Sequence, residues 1–198
     1  MIKFTVTIIL AIVTLVGALT DHTIIATFNH LSGQDDFDNP TRIIGNFVDK
    51  LTNPSTVDLA RIPDGSTGVT PFSPPNVALY QQDRPSAPAI VLSRHHAVEL
   101  FDLDYFYFGC TFGPAKIIKV GVSRCLVTAR GFRNGSIVAV QTFEFRPKLT
   151  LRTGMVKAQL SVGYRNIDKV TFTTDNYRVT RSGRTLLDNI KYTVHEGV

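Results

Sequence analysis

Apolar and polar residues alternate with a period of two along most of this chain, and this feature constrains its fold more than any other. Few stretches carry apolar residues at the i, i+3, i+4 and i+7 spacing of a helix, whereas short segments rich in β-branched and aromatic residues recur. Turn residues separate these segments at intervals of roughly 8–12 residues, which is typical of two packed sheets. The pattern therefore predicts one all-β domain, a β-sandwich of jelly-roll type.

The segments with strand character run through the whole chain. They are 23–28, 43–48, 57–59, 76–80, 89–92, 97–110, 116–122, 124–132, 136–146, 156–162, 169–174, 177–181 and 186–194. The longest alternates until Asp104 and then becomes aromatic at consecutive positions, so we expect either a β-bulge or a strand buried on both faces. Residues 33–75 are polar and rich in turns, which predicts long loops on one side of the sandwich, where binding sites are common.

The sequence Arg133-Asn134-Gly135-Ser136 predicts a tight hairpin, because Asn-Gly accepts the positive φ angles of a type I′ turn. The strand that follows would place its odd-numbered residues, from Ile137 to Phe145, on one face. Asn134 is also the one usable glycosylation sequon, since a proline follows the asparagine of the other. A hairpin tip is exposed, so we expect Asn134 to be a glycosylation site.

The N-terminus has the anatomy of a secretory signal peptide. Lys3 precedes an uncharged apolar run, and Val16-Gly17-Ala18 offers small residues at the −3 and −1 positions of a cleavage site. The alternative is a membrane anchor, but the run is shorter than the ~20 apolar residues that a spanning helix needs. We expect cleavage after Ala18, so that residues 1–18 are the signal peptide and residues 19–198 form a secreted, extracellular and monomeric domain without a nucleic-acid partner.

Two cysteines, Cys110 and Cys125, stand in the mature part. An even number in a secreted chain predicts a disulfide, worth roughly 3 kcal/mol for a loop of this length. The alternatives are a buried pair of free thiols and a metal site. Two cysteines are too few for structural zinc, and no histidine stands near them at the spacing of a ligand.

Charge is unevenly distributed along the chain. Residues 1–110 contain six Lys/Arg and eleven Asp/Glu, whereas residues 111–198 contain fifteen and five, giving formal charges of −5 and +10. Such asymmetry indicates a basic face that binds polyanions or, where early and late strands interleave, charges that neutralise each other in space.

Motifs of catalysis are absent from the sequence, which has no Gly-x-Ser-x-Gly, no His-Glu-x-x-His, no phosphate loop and no dinucleotide fingerprint. His95 and His96, as neighbours on a strand, would point to opposite faces and make a poor chelate. Asp102 and Asp104 would share a face, but a glycosidase needs two carboxylates across a cleft. No catalytic residue is therefore predicted, and Asp102, Asp104 or Glu144 beside a histidine or tyrosine in one cleft would favour an enzyme.

Two further patterns concern ligands. Acidic residues gather in the early loops at positions 35, 36, 38 and 49, and loop carboxylates suit calcium. The spacing is not that of an EF-hand, however, and most such clusters are solvated.

Arginines follow aromatic residues at 132–133, 145–146, 164–165 and 177–178, where stacking on a sugar or base could combine with anion binding. The alternative is that the aromatic residues belong to the core and the arginines to the surface.

Several short motifs from residue 76 onward form a pattern of their own. They are Asn76-Val77-Ala78-Leu79-Tyr80, Phe101-Asp102-Leu103-Asp104-Tyr105, Cys125-Leu126-Val127-Thr128-Ala129-Arg130-Gly131-Phe132, Asn166-Ile167-Asp168-Lys169-Val170-Thr171-Phe172 and Leu187-Asp188-Asn189-Ile190-Lys191-Tyr192. The pattern resembles small secreted proteins of filamentous fungi that are similar to galactose-binding-like jelly rolls. The resemblance covers roughly residues 24–194, and it implies a fold rather than an activity.

The resemblance also implies a structural calcium between the first and last strands. Asp188 matches the acidic residue of the last strand, whereas Asn29 and His30 stand where relatives carry carboxylates. Asn29 and Asp188 are therefore the candidate ligands, and no other cofactor is expected.

Taken together, these features predict a secreted binding module that recognises a glycan of a cell surface or cell wall, as a fungal effector acting on a host would. A rival prediction is a small polysaccharide lyase or hydrolase on the same fold. A structural cell-wall or interaction protein and a polyanion-binding protein are the remaining alternatives.

Overall fold

The computed structural model describes residues 20–28, 41–43, 51–52, 57–62, 68–81, 90–94, 98–112, 121–148, 152–176 and 183–196. Regular structure in this part of the chain consists of fifteen strands and one 3₁₀ turn at Val162–Tyr164. Among these residues, no helix combines the length and the apolar character that crossing a membrane requires.

The strands follow one another closely. They are β1 (Thr20–Ala26), β2 (Thr41–Ile43), β3 (Leu51–Thr52), β4 (Val57–Arg61), β5 (Val69–Thr70), β6 (Asn76–Gln81), β7 (Ile90–Arg94), β8 (Val98–Phe112), β9 (Gly121–Val122), β10 (Cys125–Arg133), β11 (Ser136–Phe145), β12 (Thr153–Gly154), β13 (Val156–Gln159), β14 (Lys169–Asn176) and β15 (Gly183–Glu196).

Two antiparallel sheets hold most of these strands. The eight-stranded sheet has the order β13-β8-β15-β6-β4-β2, with β1 beside β15 and β9 beside β8, and the five-stranded sheet has the order β11-β10-β14-β7-β3. A short parallel pair, β12 with β5, stands apart from both. Successive strands such as β6, β7 and β8 alternate between the two sheets. The predicted all-β sandwich is confirmed.

Aromatic side chains join the two sheets across the core. The buried ring of Phe106 on β8 lies 5.7 Å from those of Phe108 and Phe143 and 5.1 Å from that of Phe172, centroid to centroid. Edge-on contacts at such distances are favourable arrangements for aromatic pairs. β8 belongs to one sheet, whereas β11 and β14, which carry Phe143 and Phe172, belong to the other. This cluster therefore holds the two sheets together.

The predicted disulfide is confirmed. Cys110 and Cys125 are bonded, with their Cα atoms 6.2 Å apart, and neither side chain is exposed. Cys110 lies on β8 and Cys125 on β10, so the bond is a covalent link between the two sheets.

The predicted hairpin at Asn134-Gly135 is also confirmed, with φ angles of 51° and 77° at these two residues. The sequence also predicted that Ile137 and Phe145 share one face of β11, and their burial differs. Phe145 is fully buried, but Ile137 is 55% exposed. The ladder between β10 and β11 shifts register after Gly131, which turns the hairpin tip away from the core.

Several predicted features have a shorter or undescribed counterpart. The predicted strand 156–162 ends at Gln159, and the 3₁₀ turn follows it. Other predicted features lie outside the described residues: the signal peptide (1–18), the acidic positions 35, 36, 38 and 49, the pair His95-His96 and the strand 177–181.

Candidate functional site

The outer face of the eight-stranded sheet carries the candidate site, and a change of phase along β8 shapes it. The fully buried residues are Phe101 and Leu103 before the change, and Phe106 and Phe108 after it. The inward face thus passes from odd to even positions. A strand can change phase in this way where a residue of a β-bulge is left out of the pairing.

The ladder between β8 and β15 contains this irregularity. Its register shifts at three places, and two of them lie here, between Asp188 and Lys191 and between Lys191 and Tyr192; the third lies between His195 and Glu196. Asn189, within the first shift, has a φ of 44°, in the left-handed region that asparagine occupies more readily than most residues. Of the two explanations that the sequence left open for the change after Asp104, the β-bulge is thereby confirmed at this point of the strand.

The second explanation that the sequence left open applies further along β8. Gly109 and Cys110 are neighbours with opposite orientations, yet both are buried. Val69 packs on Gly109 so closely that an added Cβ would lie 2.7 Å from the Val69 Cγ1 atom. β8 is therefore covered on both faces at Gly109 and Cys110.

The bulge decides which side chains of β8 face outward. Without it, Asp104 and Tyr105 would point to opposite faces of the sheet, because successive side chains on a strand alternate. With it, both residues are partly exposed and both contact cations on the outer face. An acidic and an aromatic side chain thereby become neighbours on the same surface.

An exposed aromatic surface lies beside these residues, and we call Phe72, Tyr105 and Tyr107 the aromatic platform. The rings of Phe72 and Tyr107 are stacked, with centroids 3.8 Å apart and an interplanar angle of 21°. Tyr105 meets Tyr107 edge-on at 6.0 Å. Phe72 remains 53% exposed, so its outer ring face is open to solvent.

The loop that carries Phe72 is anchored to the sheet. The backbone N–H and the hydroxyl of Ser73 lie 2.6 Å and 2.8 Å from the two carboxylate oxygens of Asp188 and donate to them. The N–H of Ile62 donates to the carbonyl of Pro75 at 2.8 Å. These bonds fix the position of Phe72, although nothing in its local sequence predicts a regular element.

Asp188 is the buried anchor of this loop. Burial raises its pKa to about 6, against the opposing effect of the hydrogen bonds from Ser73 and Asn189. Its predicted calcium partner, Asn29, lies outside the described residues. Among the residues that the structure describes, no three His, Cys, Asp or Glu side chains are grouped so as to hold a metal ion. Calcium binding by Asn29 and Asp188 remains a prediction.

Two lysines flank the platform. The ammonium nitrogen of Lys157 lies 4.1 Å from the centroid of the Tyr105 ring, and that of Lys191 lies 5.8 Å from it. Cations at such positions are attracted by the negative face of an aromatic ring. Lys191 also approaches Asp104, with 3.3 Å between Nζ and Oδ2.

A network of charges continues from the platform along the sheet. Arg165 places one guanidinium nitrogen 2.9 Å from Asp102 and another 2.9 Å from Asp104. The two aspartates come from the early, acidic part of the chain, and Arg165 comes from the late, basic part. The expectation that early and late strands neutralise each other in space is met at these pairs.

His195 closes the network at its far end. Its Nδ1 lies 2.7 Å from Asp21, and its Nε2 lies 3.1 Å from Asp102. Partial burial lowers the pKa of His195, but hydrogen bonds and charge interactions with the two carboxylates outweigh it, so the pKa lies above its usual 6.5. Burial raises the pKa of Asp102, but Asn166, His195 and Arg165 together hold it below its usual value.

These contacts bear on the alternative, left open by the sequence, that the protein is an enzyme. Asp102 does lie beside a histidine, and Asp104 is next to Tyr105. Both carboxylates, however, are paired with Arg165, and the pKa of Asp102 lies below its usual value. A glycosidase acid needs the opposite, a raised pKa. Glu144 is on the other sheet, where Arg124 and Arg146 pair with it and lower its pKa despite desolvation.

The structure separates the other predicted site residues from this face. Asn134 is exposed at the hairpin tip between β10 and β11, where glycosylation remains a prediction. Of the predicted aromatic–arginine pairs, Tyr164 is buried and Arg165 is exposed, in agreement with a core and surface division. Phe72, Lys157 and His195 were not predicted as site residues. In the sequence, Phe72 is marked only as an aromatic residue in a proline-rich loop. Lys157 and His195 have no local signal, because their contacts depend on pairing between strands that are distant in the sequence.

Comparisons with known proteins bear on the fold. No family model matches the sequence, and no curated protein matches it significantly. A DUF4465 family protein from Bacteroides caccae has a similar structure, with a TM-score of 0.56 and 12% identity over 88% of this chain and 99% of the other. This similarity supports the β-sandwich fold.

Two further structures are more distant. A Stig cyclase from Fischerella sp. TAU has a TM-score of 0.46 and 10% identity over 89% of this chain and 100% of the other. The CBM22-1 and GH10 modules of a Clostridium thermocellum xylanase, complexed with xylohexaose, have a TM-score of 0.36 and 9% identity over 86% of this chain and 28% of the other. Neither is similar enough to carry an argument about function.

Proposed function

We propose that this protein is a secreted binding module that holds a sugar ring against the aromatic platform. The open ring face of Phe72 carries the proposal, since an exposed aromatic face suits the apolar C–H face of a pyranose. Polar groups at the edge of the platform, among them Lys157 and Lys191, supply donors for the oxygen atoms of the sugar.

Rigidity supports the proposal. Phe72 rests on Tyr107, and Ser73 is bonded to Asp188 behind it. A ligand that meets a surface already in its binding conformation loses less conformational entropy on association. The anchored loop therefore favours binding by a surface that is largely formed in advance.

Secretion is supported by two features. The N-terminal residues have the composition and order of a signal peptide. The Cys110–Cys125 disulfide is a bond that persists in oxidising compartments and is rare in the cytosol. Mass spectrometry of the protein exported from a eukaryotic host should find Leu19 as the first residue.

A glycan array tests the binding function. The oxidised protein, without residues 1–18, would be applied to neutral and anionic glycans with and without calcium. Phe72→Ala should reduce binding about two- to tenfold, because aromatic contacts of this kind are worth about 0.5–1.5 kcal/mol. The matched control is Phe112→Ala, which removes another exposed phenylalanine of the eight-stranded sheet, 42% accessible, that makes no ring contact with the platform.

Equal losses from the two variants would contradict a role for the platform. A blank array for the wild-type protein would contradict glycan binding itself. Release of reducing ends or unsaturated products during the incubation would instead favour the polysaccharide-active enzyme, which is the rival function on this fold.

A further inference from the structure

We infer that the sugar recognised at the aromatic platform is anionic, and that Lys157 binds its acidic substituent. The inference rests on the proposed function and adds the class of ligand to it. It follows from the position of Lys157 and from the charges around it.

Lys157 belongs to β13, whose ladder with β8 places it opposite Tyr107. Directly opposed residues of an antiparallel pair have Cβ atoms roughly 4.5–5.5 Å apart. Phe72 is stacked on Tyr107, and the Lys157 ammonium lies over Tyr105. A ring bound to the platform would therefore have its substituents beside this ammonium group.

The other cations near the platform are already paired with carboxylates. Arg165 bridges Asp102 and Asp104, and Lys191 also contacts Asp104. Lys157, in contrast, has no carboxylate within ion-pair distance among the described residues, and its contact is the face of Tyr105. It is exposed, so an incoming anion reaches it without breaking an ion pair.

Because Lys157 is a lysine and not an arginine, it can select for negative charge but cannot distinguish one kind of acidic group from another. A guanidinium would favour a planar carboxylate through two parallel hydrogen bonds, whereas an ammonium group acts as a point charge. Lys157 therefore selects for negative charge on the sugar, either the carboxylate of a uronic acid or a sulfate ester. Oligosaccharides that carry only one of these two groups distinguish between them.

Isothermal titration calorimetry would compare three probes of the same length: an oligogalacturonate, a neutral galactan oligosaccharide and a sulfated galactan oligosaccharide. We expect the wild-type protein to bind at least one anionic probe about three- to tenfold more tightly than the neutral probe, and to lose this preference at high salt. Lys157→Gln should remove the preference, and Lys157→Arg should retain it.

Lys169→Gln is the matched control. Lys169 is also a lysine over an aromatic ring, 4.4 Å from the centroid of Phe132, but it belongs to the five-stranded sheet. Its replacement changes the net charge by the same amount and should leave the preference intact. An equal loss from both variants would show a general effect of charge and overturn the inference.

The outcomes separate the inference from the proposed function. Binding of the neutral probe that depends on Phe72, with no change for Lys157→Gln, would overturn the anionic ligand and retain the platform. Binding of none of the three probes would count against both. Melting temperatures equal to that of the wild-type protein would show that each variant is folded.

Discussion

The two sheets of the sandwich present different outer faces, although both are built from the same alternation of residues. On the five-stranded sheet, β10 and β11 pair without a shift from Cys125 to Gly131, and their outward residues include the Thr128–Thr142 pair, with hydroxyl oxygens 2.9 Å apart. On the eight-stranded sheet, β8 and β15 shift register, and aromatic and charged side chains gather at the shift.

The comparison shows what the bulge adds. In a regular ladder, outward residues are two positions apart, so consecutive residues of a strand lie on opposite faces of the sheet. The bulge brings the consecutive residues Asp104 and Tyr105 to the same surface, beside Lys157 and Lys191. Bulges often stand next to functional sites for this reason, because they reorient a side chain.

The largest expected effect distinguishes the two sides of β8. Phe106→Ala should lower the free energy of unfolding by about 3–5 kcal/mol, because it removes a fully buried ring that joins the sheets. Tyr105→Ala should cost about 1 kcal/mol or less but weaken glycan binding, since Tyr105 is partly exposed. Urea denaturation followed by fluorescence gives the free energy of unfolding of both variants. Equal losses of stability would contradict the inward orientation of Phe106 and the outward orientation of Tyr105.

The disulfide links the two sheets that are being compared. Replacing Cys110 and Cys125 together by serine should lower the free energy of unfolding by about 3 kcal/mol, since the loop of 15 residues is released in the unfolded chain. Calorimetry of the oxidised protein, of the reduced protein and of the double variant measures this. Reduction and substitution should have similar effects, and a double variant as stable as the oxidised protein would contradict the account.

The contribution of the His195 network to the free energy of unfolding should depend on pH. The pKa of His195 is raised in the folded state, so its stabilising contribution is fully present below the unfolded value of 6.5 and is lost as the pH rises through the folded value. His195→Asn should therefore cost about 1 kcal/mol near pH 5.5 and less near pH 9. Asp21→Asn, which removes one of its two carboxylates, should show a weaker form of the same trend. A cost for His195→Asn that grows with pH would contradict it.

The smallest effect is expected on the regular face. Thr142→Val removes an exposed hydroxyl pair with Thr128 and keeps a β-branched side chain, so the free energy of unfolding should change by about 0.5 kcal/mol or less. Binding to the glycan array should be unchanged. A loss of binding would move the site to the five-stranded sheet and contradict the contrast between the two faces.

Much of the fold was predictable because local signals specify it. The Asn134-Gly135 turn, the disulfide and the alternation of β10 each follow from neighbouring residues or from residue type. The position of an irregularity in β8 was predictable as well, since the change from Asp104 to consecutive aromatic residues interrupts a period of two. The sequence did not decide between a bulge and a strand buried on both faces.

The site was less predictable, because its members meet through pairing between distant strands. Lys157 reaches Tyr105 since β13 pairs with β8, and His195 reaches Asp21 across 174 residues of sequence. Phe72 stands in a segment without periodicity, and its contact with Tyr107 depends on the bonds of Ser73. No local pattern encodes these contacts.

The position of β15 has a consequence for biosynthesis. This last strand pairs with β1, β6 and β8, and the Thr23–Thr193 bond spans 170 residues. At typical rates of translation, β1 would leave the ribosome roughly 10–30 seconds before its partner is made. Three strands thus remain without this partner until residues 183–196 have been made. A chain that stops before Gly183 should therefore expose unpaired strand edges and aggregate or be degraded.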